Sequence, residues 1–272
     1  MNSYIGLITR CKDEYFVSEF AEYYLSQGID QIYIIDDDSF DKSIYQGLRD
    51  NKKVNIIYGT DITRGNFVDD VYRDIKNNHE WIIYVDVDEF ITTKRNKCKT
   101  IRDELLTTFK DVDCIKIPWV LMSCIGIQDS PQSILKTNTY RWNHDKKHPH
   151  SKHKFRCRYK KIEVKCIFKP KNFDGLAEHH PKNHNKSNLR TVSGVDCSRS
   201  LLSPFHDNLR EADIEIGYLL CYHYRIISVE NCIHKLRTNR WYVEGNFMLE
   251  DLMGSDYNEV VDEVLKNRSL KM

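Results

Sequence analysis

Through the first 120 residues, apolar positions gather in short continuous runs, and between the runs they recur at helical spacing. YIGLIT (4–9), QIYIID (31–36), VNIIYG (54–59), WIIYVD (81–86) and CIKIPW (114–119) are runs of strand length. Between the first two, DEYFVSEFAEYYLSQG (13–28) sets Val17, Phe20, Ala21 and Tyr24 at helical spacing, with Asp13 near its start and Gly28 as a stop. Residues 66–78 and 101–109 also read as helices. Runs without polar alternation suit strands covered on both faces. Strands alternating with helices imply an α/β protein with a mainly parallel central sheet flanked by helices.

The pattern then changes. Residues 136–171 hold thirteen Lys or Arg against two acids, Asp145 and Glu163, with four histidines added. Such a stretch either binds phosphates or forms a solvated loop and an edge strand. Residues 177–215 are loop-like and rich in His, Asn and Ser. GYLLCYHYR (217–225) suits a buried strand. SVENCIHKLRTNRWY (228–242) suits a helix capped by Ser228, with Ile233, Leu236 and Arg240 along one side, and a further helix is expected near 257–267.

Composition narrows the function. The chain has 272 residues, is 40% hydrophobic and 11% aromatic, and can bury a large core. A formal charge of +1 argues against the whole chain being a nucleic-acid or membrane-surface binder. The N-terminal stretch has no apolar core of signal-peptide length, and Arg10 and Lys12 follow its apolar run. CIKIPWVLMSCIGI (114–127) contains Lys116 and falls short of the ~18 residues of a membrane span. Nine cysteines without a C-x-x-C pair fit reduced thiols. The expectation is a soluble cytoplasmic protein.

Candidate chemistry sits at two strand ends. WIIYVDVDEF (81–90) closes on Asp86, Asp88 and Glu89, whose like charges repel at that spacing. In open α/β sheets ligands bind beyond the carboxyl ends of the strands. Asp86 and Asp88, one residue apart, point the same way if the backbone stays extended, and together make a hard oxygen site for a divalent cation. A D-x-D pair also marks many merely solvated strand ends. IIDDDSFD (34–41) places Asp36, Asp37 and Asp38 at the corresponding edge. Carboxylates there accept hydrogen bonds from a ribose or a base, or form the cap and Asx-turn for which Asp and Ser are suited.

TRCKDEYFVSEFAEYYLSQGIDQIYIIDDDSFD is similar to the opening of the family 92-like glycosyltransferases, glycosyltransferase-2-like proteins of the GT-A fold. Asp13 replaces the Asn of that family's Arg-x-Lys-Asn-Glu, and Phe20-Ala21-Glu22-Tyr23-Tyr24 replaces its Glu-Trp segment. WIIYVDVDEF resembles its Trp-x-x-x-x-Asp-x-Asp-Glu-Phe motif, and IPWVLMSCIG its Pro-Trp segment, with Ser123-Cys124 where Phe-Gly is more usual. VKCIFKP (164–170), followed by His179-His180-Pro181, resembles the Lys-x-Ile-x-x-Pro element. CYHYRIISVENCIHKLRTNR resembles the C-terminal His-Tyr block, with Ile227 in place of its Lys. The likeness spans roughly residues 3–241.

The resemblance implies one GT-A domain over 1–272, Rossmann-like, with a nucleotide-sugar half (1–120), an acceptor-side half (121–245) and a helical tail (246–272). It implies a transferase using a nucleotide-sugar, commonly of UDP but with GDP open, and Mn2+ or Mg2+. The acceptor would be a glycan or protein-linked sugar. Asp86, Asp88 and His223 would be the metal ligands; by its residues alone His223 reads as a hydrogen-bonded core histidine. The nucleotide would meet Thr9, Arg10, Asp36, Asp38, Asp86 and Arg237. Lys165 would hold the acceptor or the diphosphate, or be an exposed strand lysine, with Arg240 a further cation. Asp129, Asp174, Glu178 and Asp207 are candidate bases for an inverting reaction. Trp119 and Trp142 suit either a stacked acceptor sugar or the core, the core being favoured for Trp119. Rival readings are a divalent-metal nuclease or nucleotidyltransferase, although no Gly-rich loop precedes the sheet, and a non-catalytic sugar- or nucleic-acid-binding protein.

Overall fold

A computed structural model of the chain describes residues 3–59, 66–148, 161–207 and 209–271. Its first strands and helices alternate: β1 (Ser3–Cys11), α1 (Val17–Ser26), β2 (Gln31–Asp37), β3 (Val54–Gly59), α2 (Asn66–Ile75) and β4 (His79–Tyr84). The four strands pair in parallel in the order β3–β2–β1–β4. Their period-two geometry divides each apolar run between two cores. Ile5, Leu7, Ile32, Ile34, Trp81 and Ile83 join the cluster that holds Val17, Phe20 and Tyr24 of α1. Ile8, Ile35, Ile82 and Tyr84 pack with Val68, Val71 and Tyr72 of α2. Burial on both faces is why these runs lack polar alternation. Gly28 ends α1 at φ +86°, and a Cβ there would come within 2.7 Å of Arg102 Cβ.

The next elements are β5 (Glu89–Thr92), α3 (Ile101–Leu106), β6 (Cys114–Ser123), α4 (Ile134–Thr137), β7 (Tyr140–Arg141) and β8 (Lys161–Phe168). Then come β9 (Phe173–Leu176), β10 (Pro181–His184), β11 (Thr191–Ser193), β12 (Phe205–Asp207), α5 (Glu211–Ile216) and β13 (Leu220–His223). The chain closes with α6 (Val229–Thr238), α7 (Arg240–Glu244), α8 (Leu249–Met253), β14 (Val260–Val261) and α9 (Val264–Ser269). Here the sheet becomes mixed. β8 lies antiparallel between β4 and β6. β6 also carries β11 and β13 in parallel, and β13 pairs antiparallel with β5. The principal core runs from Ile5 to Leu265.

Three expectations change. The reading of 136–171 as loop and edge strand fails at β8, an interior strand buried from Ile162 to Phe168. Its charges Glu163 and Lys165 disguised it, because buried charges require partners that a sequence does not display. Residues 149–160 of the basic stretch lie outside the described residues. The helix over 228–242 breaks at Asn239, whose extended backbone ends α6 and whose side chain accepts from Trp241 N to cap α7. The helix near 257–267 is the strand β14 followed by α9, because Val260 and Val261 pair with β7. Every described cysteine is free. No helix among the described residues is long and apolar enough to cross a membrane.

Candidate active site

The acidic end of the fourth apolar run is a turn. β4 stops at Tyr84, and the chain folds through residues 85–88 before β5 begins. Glu89 N donates to Asp86 O at 3.0 Å, Asp86 N donates to Glu89 Oε2 at 2.8 Å, and Tyr224 N donates to Asp88 O at 2.8 Å. An extended backbone would have aimed Asp86 and Asp88 the same way. The turn sends them to different cations instead.

Lys165, on β8, donates to Asp86 Oδ2 at 2.8 Å and to the Glu178 carbonyl at 3.3 Å, and lies 3.3 Å from Glu89 Oε2. Arg10, at the end of β1, approaches Asp86 Oδ1 at 3.7 Å. Lys235, on α6, donates to Asp88 Oδ2 at 2.9 Å and to the Arg225 carbonyl at 3.2 Å, and stands 3.9 Å from Glu14. His223 Nε2, at the end of β13, is 3.6 Å from Asp88 Oδ1. Each aspartate of the D-x-D thus has a buried lysine that links it to a glutamate, Glu89 fully buried and Glu14 partly so. These two ammonium groups offset the repulsion visible in the sequence.

Titration follows from this packing. Burial alone would raise Asp86 and Asp88, but Lys165 and Arg10 hold the first well below the usual carboxylate range, and Lys235 and His223 lower the second. Burial alone would lower the two ammonium groups, yet Asp86 and Glu89 around Lys165, and Asp88 and Glu14 around Lys235, hold both above the ordinary lysine value. Burial pushes Glu14 up to about 7, against the pull of Lys235, and pushes Glu89 well above its ordinary value. Burial lowers His223 to about 4, so its imidazole is neutral at pH 7.

The remaining predicted residues divide. Asp36 is spent locally: it takes a short contact from Lys42 and accepts from Tyr45 Oη at 2.7 Å and Ser39 N at 3.3 Å. Asp38 is exposed in the left-handed region at φ 56°. Asp37, between them, feels the charges of Lys12 and Arg10. Thr9 is fully buried, with its hydroxyl on the Arg10 carbonyl at 3.4 Å. Arg237 is exposed, and Arg240 pairs with Glu244. Asp129 and Asp207 are exposed, and Asp174 pairs with Lys76 at 3.0 Å. Glu178 belongs to the segment touching Lys165, and its charge reaches Arg10. Trp119 and Trp142 are both buried, and both line an open cleft that His223 also walls.

Sequence reasoning missed Lys235 and Glu14. Lys235 stands in the helical segment from which Arg237 and Arg240 were singled out, and a lysine on the face opposite those arginines was the available signal. Glu14 closes the Arg-x-Lys-Asp-Glu segment, where an acid following two cations was the hint.

Asp86, Asp88 and His223 offer oxygen and imidazole donors of the kind a divalent cation takes. Among the described residues Asp86 Oδ1 and Asp88 Oδ1 receive no hydrogen bond, and a neutral His223 beside Asp88 keeps a lone pair for coordination. As they stand, no three His, Cys, Asp or Glu among the described residues converge into a closed metal site. Asp88 and His223 are together, and Asp86 is drawn aside by Lys165 and Arg10.

The model of glycosyltransferase family 92 matches residues 12–243, and the chain belongs to that family. The sheet gives the fold as mixed α/β, parallel through its first four strands and mixed beyond them. No curated protein matches the chain. Among solved structures it is similar to S. aureus TarS 1-349 in complex with UDP, with 17% identity and a TM-score of 0.35 over 49% of this chain and 39% of that one. The chain therefore spans about two fifths of that structure's length. Another TarS 1-349 structure matches with 11% identity and a TM-score of 0.40 over 92% of this chain and 70% of that one. HddC from Yersinia pseudotuberculosis matches with 12% identity and a TM-score of 0.34 over 64% and 82%.

Proposed function

We propose that this chain transfers a sugar from a nucleotide-sugar, with UDP as the carrier, to a hydroxyl of a glycan or protein-linked sugar, assisted by Mn2+ or Mg2+. The observation that carries the reading is the D-x-D turn at the carboxyl edge of the parallel strands. There Asp88 faces the neutral imidazole of His223, and Asp86 faces Arg10. Membership of family 92 supports the reaction class.

Asp86, Asp88 and His223 would hold the cation, which supplies Lewis-acid charge to the diphosphate when bound. The protein's own groups do the rest. As the glycosyl–phosphate bond breaks, negative charge grows on the leaving diphosphate, and the partly exposed Arg10 is the side chain placed to meet it. Lys165 is fully buried and engaged by Asp86, Glu89 and the Glu178 carbonyl, so it orients Asp86. Lys235 does the same for Asp88. Asp36 braces the turn after β2, which leaves Asp37 and Asp38 for the nucleoside hydroxyls. Glu178 is the proposed base if the reaction inverts.

Titration calorimetry tests the reading. UDP with Mn2+ is expected to bind, Asp88→Ala to abolish binding, and slow UDP-sugar hydrolysis to accompany it. A folded wild-type chain that binds neither UDP nor GDP in the presence of Mn2+ would refute it.

A further inference from the structure

We infer that His179 takes the proton from the attacking hydroxyl, with Glu178 next to it to stabilise the imidazolium that forms. This rests on the glycosyltransferase reading above and refines its proton-accepting step, which moves from the exposed Glu178 carboxylate to the neighbouring imidazole.

Both residues sit in the loop that joins β9 to β10, where Ala177 N donates to the His180 carbonyl at 3.0 Å. β8 holds that loop at two successive positions. Lys165 donates to the Glu178 carbonyl at 3.3 Å, and His179 Nδ1 donates to the Val164 carbonyl at 3.1 Å. A carbonyl only accepts, so the proton of the neutral ring is on Nδ1, and Nε2 carries the lone pair. No hydrogen bond among the described residues reaches that Nε2. The half-buried ring leaves it open to solvent, unlike the closed-off Nδ1 of His180 and of His223. A fixed tautomer with a bare, accessible nitrogen is what a general base requires.

The ring stands at the D-x-D turn, where its charge helps to lower Asp86. Its centroid lies 5.5 Å from that of Trp119, which also packs against His223 at 4.3 Å. Burial lowers the imidazole and Lys165 lowers it further, while Glu163, Glu178 and Asp86 pull it up. It is therefore neutral at pH 7, and three carboxylates favour the imidazolium once a proton arrives. His180, one residue on, feels His179 and Lys116 instead. In the step, the acceptor O–H proton passes to His179 Nε2 and the oxygen's electron pair forms the bond to the anomeric carbon. The glycosyl–phosphate electron pair leaves with the diphosphate, and attack from the opposite face inverts the centre.

The test uses the intact chain with Mn2+ and water as the acceptor. The donors are UDP-glucose, UDP-galactose, UDP-N-acetylglucosamine, UDP-xylose and GDP-mannose; released sugar is followed by proton NMR and UDP binding by calorimetry. The wild type is expected to hydrolyse at least one donor with inversion. His179→Asn keeps an amide N–H for the Val164 carbonyl, and His179→Gln keeps a polar group near the Nε2 position, but neither can take the proton. Both are expected to lose on the order of 10²–10⁴-fold in hydrolysis with UDP affinity unchanged. Glu178→Gln is expected to lose less than about tenfold, because an exposed carboxylate stabilises a charge only modestly. The nitrogen spectrum of 15N-labelled histidine, assigned by the signal lost in either His179 variant, is expected to show His179 protonated on Nδ1 alone at pH 7. Wild-type hydrolysis in His179→Gln, loss of hydrolysis in Glu178→Gln alone, release of the retained anomer, or a proton on Nε2 each refutes the assignment and leaves the glycosyltransferase reading in place. So does a wild-type chain that binds UDP and hydrolyses none of the donors. If a variant fails to bind UDP, the wild-type nitrogen spectrum and the released anomer still decide. A wild-type chain that binds neither UDP nor GDP overturns the reading beneath.

Discussion

Two strand ends on one sheet edge carry the same chemistry and use it differently. After β2, the Asp36 carboxylate is consumed within nine residues by Lys42, Ser39 and Tyr45. After β4, Asp86 and Asp88 are held by Lys165 and Lys235, which lie 79 and 147 residues away in the chain. A carboxylate satisfied by its own turn has no capacity left for a ligand. One steadied on a single oxygen by a distant ammonium keeps the other oxygen available. The origin of the partner, local or tertiary, separates the brace from the candidate catalytic group.

Lys165→Met should give the largest effect. It leaves Glu89 buried beside Asp86 without a counter-charge, and it should lower unfolding free energy by roughly 3–5 kcal/mol in urea denaturation. A loss below ~1 kcal/mol would mean that Lys165 is no more embedded than Lys42, and the contrast would collapse. Asp88→Asn comes next. Donor turnover should fall on the order of 10²–10³-fold while the far-UV circular dichroism is unchanged. Asp36→Asn should show the opposite signature, losing about 1–3 kcal/mol of stability with UDP affinity intact.

Acid titration sharpens the same point. Burial raises the Asp36 carboxyl, but Lys42, Ser39 and Tyr45 outweigh it and leave it below its ordinary 3.8. A carboxylate held down in the folded state contributes stability that is complete above its unfolded value and is lost as pH falls below it. Wild-type stability should therefore drop below about pH 4 more steeply than that of Asp36→Asn, as chemical denaturation at stepped pH would register. An equal slope would remove Asp36 from the role of brace. Asp38→Asn should have the smallest effect. Asn tolerates the left-handed backbone, so stability should hold, while loss of the charge should weaken UDP binding about tenfold.

The first half of the fold was open to reading because its strands are apolar throughout and its helix is periodic. Val17, Phe20, Ala21 and Tyr24 are all buried as that spacing required. β8 escaped because Lys165 and Glu163 look solvated until their surroundings are known. The split at Asn239 escaped because one capping side chain outweighed a helical pattern that ran through it. At the site, Asp86, Asp88, Arg10, Lys165 and His223 could be named in advance, but not which aspartate each cation meets, and Lys235 and Glu14 were missed.

Sequence alone determined that this is an α/β chain with two acidic strand ends at one edge and a family 92 motif order. Those properties are written in local periodicity and short spacing. Only the tertiary structure decided that residues 85–88 turn, that Lys165 and Lys235 each claim one aspartate, and that Trp119 and His223 wall a common cleft. The reason is physical. An ion pair or a cleft between residues far apart in the chain depends on how strands are ordered and helices docked, and that order is fixed by burying the whole apolar surface at once.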